Sequence, residues 1–286
     1  MVLKQGDKIG IVGCSNALSL SFQPKMEILL TTIMDMGLVP VLSNCIYEKY
    51  SIYSGSAFER ASELHRFYKD TSIKAIFDIS GGDVANEILE HLDFELIKNN
   101  PKPFFGYSDL TTIINAIYTK TESPSCLYQL RNLMYKEKEL QKKWFKNSLF
   151  DGKKDLFDFN YTFTQGELME GIVVGGNIRC LLKLAGTPFL PDFKNKILLL
   201  ESYSGEVAII STYLNQLKQM GVFSQINGIL LGTFTKMEEN QINPTVPEIL
   251  LEVINNKNLP IAVTKEIGHG SDSKCIGIGS FLSLSR

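Results

Sequence analysis

A chain of 286 residues with a formal net charge of −2 has no overall basic footprint, which argues against nucleic acid or an anionic membrane as its main partner. Hydrophobic content of 44% and charged content of 21% fit a globular protein with a substantial core, in one large or two medium domains. No leader-like start, no apolar run long enough to span a bilayer and no C-x-x-C among five scattered cysteines are visible, so a soluble cytoplasmic protein with reduced, mostly buried thiols is expected.

Lys8–Gly13 has the composition of a buried strand and is followed by a loop with Cys14, Ser15 and Asn16. Met26, Leu29, Leu30 and Ile33 then share one helical face, with Gly37 as a stop. Leu38–Leu42 predicts a strand, Ala57–Lys69 a helix, and Lys74–Ser80 a strand ending in Gly81-Gly82. Ala85, Ile88, Leu89 and Leu92 predict another helix. Lys102–Phe105 is a short apolar run, and Leu110, Ile113, Ile114 and Ile117 fall on one face of the helix that follows it. Ser108 therefore sits at a strand-to-helix junction, with Gly106 just before it to allow a tight turn. Such a turn lifts the serine oxygen clear of the sheet and aims the first N–H groups of the helix at whatever that oxygen attacks. A serine in this place is also a natural N-cap, and on position alone that is the commoner role. Four strand–helix units in a row imply a mainly parallel sheet covered by helices on both faces, with ligands beyond its carboxyl edge. That edge holds the loops after Gly13, Ser80 and Tyr107.

From about Thr119 to Gln165 the pattern breaks into a polar, charge-rich stretch containing the single tryptophan, Trp144. It is expected to connect two domains and to supply a segment walling a cleft, or else to be a solvated linker with Trp144 as the buried anchor of a short docked helix. The second half is again α/β. Gly171–Val174 predicts a strand running into Gly175-Gly176-Asn177, and Ile178–Leu184 a helix closed by Gly186. Lys196–Leu200 is a strongly apolar strand that meets Glu201. A helix with Ile210, Tyr213, Leu214 and Leu217 on one face stops at Gly221. Gly228–Phe234 is a strand, Val246–Ile254 a helix, Ile261–Glu266 a strand reaching Gly268-His269-Gly270, and Ile276–Leu284 supplies one or two terminal strands.

Of the three histidines, His65 lies in a charged helix and reads as solvated, and His91 beside an apolar helix face reads as structural. His269 sits between two glycines past a strand end, where an imidazole can enter a cleft or simply shape a turn. Glu201 follows four apolar residues; its carboxylate is expensive to desolvate unless a donor meets it, or else the strand has reached solvent there. If Glu201 faces the same cleft as His269, it can orient the ring and stabilise an imidazolium. The glycine pair at 81–82 offers close backbone approach and N–H donors. Neither G-x-G-x-x-G nor G-x-x-x-x-G-K-[ST] occurs, so nucleotide binding as the main function is disfavoured.

Taken together these segments resemble the serine LD-carboxypeptidase family, which includes muropeptide LD-carboxypeptidases and microcin C immunity proteins. The resemblance rests on Lys8–Val12, Ser80-Gly81-Gly82, Phe105-Gly106-Tyr107-Ser108-Asp109-Leu110-Thr111, Gly175-Gly176-Asn177, Gly186-Thr187-Pro188, Leu198–Glu201 and Gly268-His269-Gly270, in the family's order and across nearly the whole chain. It implies a triad of Ser108 as nucleophile, His269 as general base then acid, and Glu201 orienting the histidine. It also implies an oxyanion hole from the backbone N–H groups of Gly82 and Asp109, and, by analogy, a homodimer. The sequence departs from the family at Ser80, where arginine is common. It departs again at Ser123–Tyr128, where a His-Gly-Pro-like or Tyr-Gly-Pro-like segment is common; both places are expected to line the substrate cleft.

The expected fold is α/β in two domains. Residues 1–150 form a mainly parallel sheet flanked by helices, with a strand-turn-helix nucleophile elbow and a linker at about 119–165. Residues 166–286 form a smaller α/β domain with a mixed sheet, carrying Glu201 and His269. The expected function is a serine peptidase without cofactor or metal, releasing the terminal D-alanine of murein tetrapeptides. One alternative is an immunity-type hydrolase of peptidyl- or aminoacyl-nucleotide conjugates, for which Trp144 could offer a platform for the base. The other is a non-catalytic module that binds cell-wall fragments. The expected partner is thus a small peptide or peptide conjugate, with neither nucleic acid nor membrane.

Overall fold

The computed structural model describes residues 2–286 and contains two six-stranded sheets. The first is built from β1 (Lys8–Val12), β2 (Val39–Leu42), β3 (Ile73–Asp78), β4 (Phe104–Gly106) and β5 (Ser125–Leu127). Helices α1 (Gln23–Asp35), α2 (Ala57–Lys69), α3 (Phe94–Asn99) and α4 (Thr111–Thr121) connect them, and α5 (Lys138–Leu149) follows. The second half runs β6 (Thr162–Gln165), β7 (Leu168–Asn177), α6 (Ile178–Leu182), β8 (Lys196–Ser202), α7 (Val207–Gln219), β9 (Gly228–Phe234), α8 (Thr235–Glu239), α9 (Val246–Ile254), β10 (Ile261–Val263), β11 (Ile276–Ile278) and β12 (Phe281–Ser285).

In the first sheet β2, β1, β3, β4 and β5 are parallel neighbours in that order, and β11 closes the β5 edge antiparallel. In the second, β7, β8, β9 and β10 are parallel, with β12 and β6 antiparallel at the two edges. Parallel strands need both faces covered, and the sequence supplies this: every residue of β9 is buried. The alternation along β8 shows how the two halves meet. Leu198 and Leu200 pack with Ile210, Leu214 and Leu250 on the outer helices, whereas Ile197 and Leu199 join a core that also holds Ile113, Ile114 and Ile117 of α4. Period-two geometry then puts Glu201 on the face of Ile197 and Leu199, towards the first half.

Three expectations change. The Ala85 helix is a 3-10 segment, Ala85–His91, after which Asp93 caps the separate α3 by accepting from the Leu96 N–H. The stretch at 119–165 is more than a connection: it contains β5, which extends the first sheet, together with α5 and β6. The buried anchor of α5 is Phe145, packed against Phe77 and Tyr128, while Trp144 is half-buried beneath the Lys274 ammonium. Two histidines also sit differently from expectation. His65 is half-buried and accepts the Asp93 N–H through Nε2, and His91 is exposed against the Phe58 ring.

Candidate active site

Strand order reverses between β1 and β3, so the loops after them diverge and open a crevice at the carboxyl edge. The buried Asp78 at the end of β3 holds both rims: it accepts from the Cys14 N–H, the Ser80 N–H and the Ser80 hydroxyl. Ser108 enters this crevice from the next strand. A 3-10 turn over Ser108–Leu110 links β4 to α4, and Ser108 takes a left-handed φ of 57°. For a residue with a Cβ that conformation is strained, and it persists because β4 and the buried first two turns of α4 fix both sides of the turn.

The other two residues come from the second half. Glu201 is fully buried near the end of β8, where the register against β9 shifts between Leu200 and Ser202. His269 lies on the loop beyond β10, its backbone N–H donating to Thr233 Oγ1 at the end of β9. Its Nε2 is 3.2 Å from Ser108 Oγ, and its Nδ1 is 2.5 Å from Glu201 Oε2. The imidazole side chain is 5% exposed, flanked by the rings of Tyr107 at 4.4 Å and Tyr203 at 5.3 Å. Burial, with the Glu201 charge adding to it, pushes the Tyr107 phenol well above its ordinary value, so that ring stays neutral. This arrangement places a serine oxygen, a ring nitrogen able to take its proton, and a carboxylate on the opposite nitrogen in one continuous chain.

The two halves are bound together at this point. Gly176 of β7 stands where a Cβ would meet Thr111 Oγ1 at 2.8 Å, so only glycine lets β7 approach the start of α4 so closely. Asn115 uses the approach to donate to Gly175 O and accept the Gly175 N–H, both at 2.9 Å, and Thr111 Oγ1 accepts the Asn177 N–H. The 81–83 loop is held from α6: Arg179 donates to Gly82 O and pairs with Asp83, and Lys183 donates to Asp83 O. Gly82 itself has a φ of 125°, with the Asn16 amide occupying the place of a Cβ. Next to the serine, the fully buried Asp109 carboxylate accepts from Ser15 Oγ, the Ala85 N–H and Lys183 Nζ.

The resulting cleft has a volume of about 590 Å³, and Gly81, Gly82, Tyr107, Ser108, Asn177 and His269 all line it. Trp144 is not part of its wall. Among the described residues no cluster able to hold a metal ion is present, and no helix is long and apolar enough to cross a membrane. All five cysteines are unpaired and four are buried; burial pushes the thiols of Cys14, Cys45, Cys180 and Cys275 up, away from thiolate chemistry.

Residues 9–128 match the LD-carboxypeptidase N-terminal domain, and residues 170–284 match the LD-carboxypeptidase C-terminal domain. The chain belongs to the LD-carboxypeptidase family. Membership supports a serine carboxypeptidase activity. A Bacillus subtilis protein named "Probable murein peptide carboxypeptidase" is 28% identical, over 99% of this chain and 90% of its own length. The microcin C7 self-immunity protein MccF of Escherichia coli is 27% identical, over 81% of this chain and 76% of its own. A crystal structure of an MccF-like protein from Bacillus anthracis superposes with a TM-score of 0.87 at 28% identity, covering 100% of this chain and 95% of that one. The LD-carboxypeptidase fold thus extends over the whole chain, and the sequence-predicted Ser108, Glu201 and His269 come together within it. Arg131, Arg179 and Tyr203, which also line the cleft, escaped the sequence reading. A basic residue two places after Asn177, facing the glycine pair, was the available signal for Arg179; nothing periodic marked Arg131.

Proposed function

We propose that this protein is a serine LD-carboxypeptidase that releases the terminal D-alanine of a murein tetrapeptide in the cytoplasm. The observation that carries this reading is the hydrogen-bonded chain from Ser108 through His269 to Glu201, set in an open cleft. Ser108 Oγ attacks the carbonyl carbon of the scissile amide while His269 Nε2 takes its proton. Glu201 Oε2 accepts from Nδ1–H, fixing the tautomer and stabilising the imidazolium. The backbone N–H groups of Gly82 and Asp109 receive the developing oxyanion, Gly82 from a loop tied down by Arg179 and Asp109 from the start of the nucleophile turn. His269 then protonates the leaving amine, and a water deprotonated by the same ring releases the acyl group and restores the serine.

Release of D-alanine from a free tetrapeptide, followed by mass spectrometry, tests the reading. With Ser108→Ala, release should fall by about a millionfold, to background, since removing a triad serine elsewhere costs about that much. Release undiminished in a folded variant would sink the mechanism. Equal labelling of wild type and variant by a serine-directed probe would instead favour a non-catalytic binding module. A second reading, hydrolysis of an aminoacyl-nucleotide conjugate, draws on Tyr203, a residue 47% exposed that lines the cleft and offers a ring to stack on a base. Faster turnover of an aminoacyl sulfamoyl-adenosine than of the tetrapeptide would select it.

A further inference from the structure

The polar groups lining the cleft are not equally engaged. Asn16 Oδ1 accepts the Asp83 N–H, Asn177 Oδ1 accepts the Cys180 N–H, and Ser202 Oγ donates to Ser204 O. Arg179 is committed to Asp83 and to Gly82 O. One wall differs. Gln129, Arg131 and Asn132 lie on and just before the 3-10 turn Leu130–Met134, and all three line the cleft with Ser108. Gln129 and Asn132 are each only 3% exposed, yet Gln129 Nε2, Asn132 Nδ2 and Arg131 Nε have no hydrogen-bond partner among the described residues. The Gln129 carboxamide is not free to turn, because its Oε1 accepts the Arg131 N–H at 3.1 Å; its NH2 is the end left over.

Buried donors without acceptors are costly, and a protein retains them where something else supplies the acceptor. Three such donors on one short turn, one of them a guanidinium, call for a ligand group that is acceptor-only, compact and negative. Among the described residues no carboxylate lies within ion-pair distance of Arg131, whereas the Asp83 charge is already matched by Arg179. The cleft therefore keeps one uncompensated cation, and it sits on this wall. Arg131 also stands close enough to Tyr107, the residue before the nucleophile, for its charge to act on that phenol, and Tyr107 packs on the His269 ring. The three residues that carry the unpartnered donors thus line the same cleft as Ser108.

We propose that Gln129, Arg131 and Asn132 form the subsite for the substrate's C-terminal carboxylate, with Arg131 as the residue that makes the enzyme demand a free chain end. A carboxylate is planar and accepts at both oxygens, which suits a guanidinium fork flanked by two amide donors. An internal or amidated peptide would leave Arg131 facing no charge and would bind without this contribution. The inference rests on the peptidase reading above and supplies what that reading lacks, a reason for cleavage at the end of a peptide rather than within it.

The test measures binding without turnover. Ser108→Ala is titrated calorimetrically with a tetrapeptide ending in L-Lys-D-Ala and with the same peptide as its C-terminal carboxamide. The free acid should bind at least tenfold tighter. Adding Arg131→Met should weaken the acid roughly 10- to 100-fold, the range for charged hydrogen bonds, and leave the amide unchanged. Arg131→Lys should keep part of the preference, since the charge remains and the fork is lost. The proposal is overturned if Ser108→Ala alone binds acid and amide equally or binds neither, if the preference survives Arg131→Met, or if that substitution weakens both peptides alike. The first comparison needs no change at Arg131, so a misfolded variant does not shield the idea. D-alanine release by the wild type, assayed alongside, separates the two levels. Release without an acid preference removes only this subsite, whereas no release and no reaction with a serine probe removes the peptidase reading itself.

Discussion

At the scale of the residue, Ser108 joins two demands that pull against each other. The hydroxyl must stand clear of β4 and meet His269 Nε2, and the backbone meets that demand with a φ of 57°. For a side chain with a Cβ the left-handed well costs about 1–2 kcal/mol relative to the right-handed one, a penalty glycine escapes. Ser108→Ala keeps the Cβ and therefore keeps the strain, so its stability should stay near that of the wild type. Ser108→Gly removes it. Although glycine also gives the unfolded chain more freedom, the relief at a left-handed position is the larger effect. Ser108→Gly should thus melt above Ser108→Ala by a few degrees, about the shift expected for 1 kcal/mol in a chain of this size. Differential scanning calorimetry of the two variants decides it. If alanine proves equal or better, the turn is not a strained elbow.

At the scale of the element, the turn that carries Ser108 is fastened by the side chain next to it. Asp109 is fully buried and accepts from three elements: Ser15 of the loop after β1, the Ala85 N–H beyond the glycine pair, and Lys183 at the end of α6. Asp109→Asn keeps the shape but leaves the 19%-exposed Lys183 ammonium without its counter-charge and turns one acceptor into a donor. The expected cost is about 2–3 kcal/mol, just under what breaking a fully buried pair costs because Lys183 keeps some access to solvent. The loop that carries Gly82 should shift as well; on the proposed mechanism this lowers kcat by about tenfold to a hundredfold with a smaller change in KM, since misplaced oxyanion donors act on the transition state. Steady-state kinetics beside a thermal melt test both, and a loss of stability with kcat intact would show that Asp109 only supports the fold. Elements of this kind were unevenly legible in the sequence. The spans 57–69, 228–234 and 246–254 match the structure end to end because local signals bound them: a Ser56/Glu59 capping box starts α2, a Thr245/Glu248 box starts α9, and β9 is apolar but for Thr233. The strands β5 and β6 left no such mark, since a three- or four-residue strand is defined by its neighbours, β4 and β11 for one and β10 for the other. Ser108, Glu201 and His269 were legible because each stands at a strand end or just beyond one. Arg131 was not, because its direction is set by a short 3-10 turn inside a charge-rich stretch without period.

At the scale of the whole molecule, the site exists only where the halves meet. Ser108 follows β4 of the first sheet, whereas Glu201 lies on β8 of the second and His269 follows β10, so the 3.2 Å contact between Ser108 and His269 is also a contact between the halves. The junction is made as a core is made. Ile197 and Leu199 of β8, Val173 of β7 and Leu230 of β9 share one apolar cluster with Phe67 of α2 and Ile113 and Ile117 of α4. The chain adds a second link when β11, near its end, returns to pair with β5 at the edge of the first sheet before β12 pairs with β7. With a shared core and a strand exchanged between sheets, neither half can lose its structure while the other keeps its own. Unfolding should therefore be a single event, in contrast to the separate transitions common in chains of two loosely joined domains. The protein carries its own reporter for this, since Trp144 is the only tryptophan and sits on α5 in the first half. Tryptophan fluorescence, far-ultraviolet circular dichroism and loss of Ser108 reactivity should give coincident midpoints in urea. Leu199→Ala, a fully buried site on the face of β8 turned to the first half, should move all three together by about 2–5 kcal/mol, the usual cost of a large-to-small core change. A fluorescence midpoint that stays in place while the other two shift would mean the halves fold independently, and the triad would then form by docking rather than with the fold.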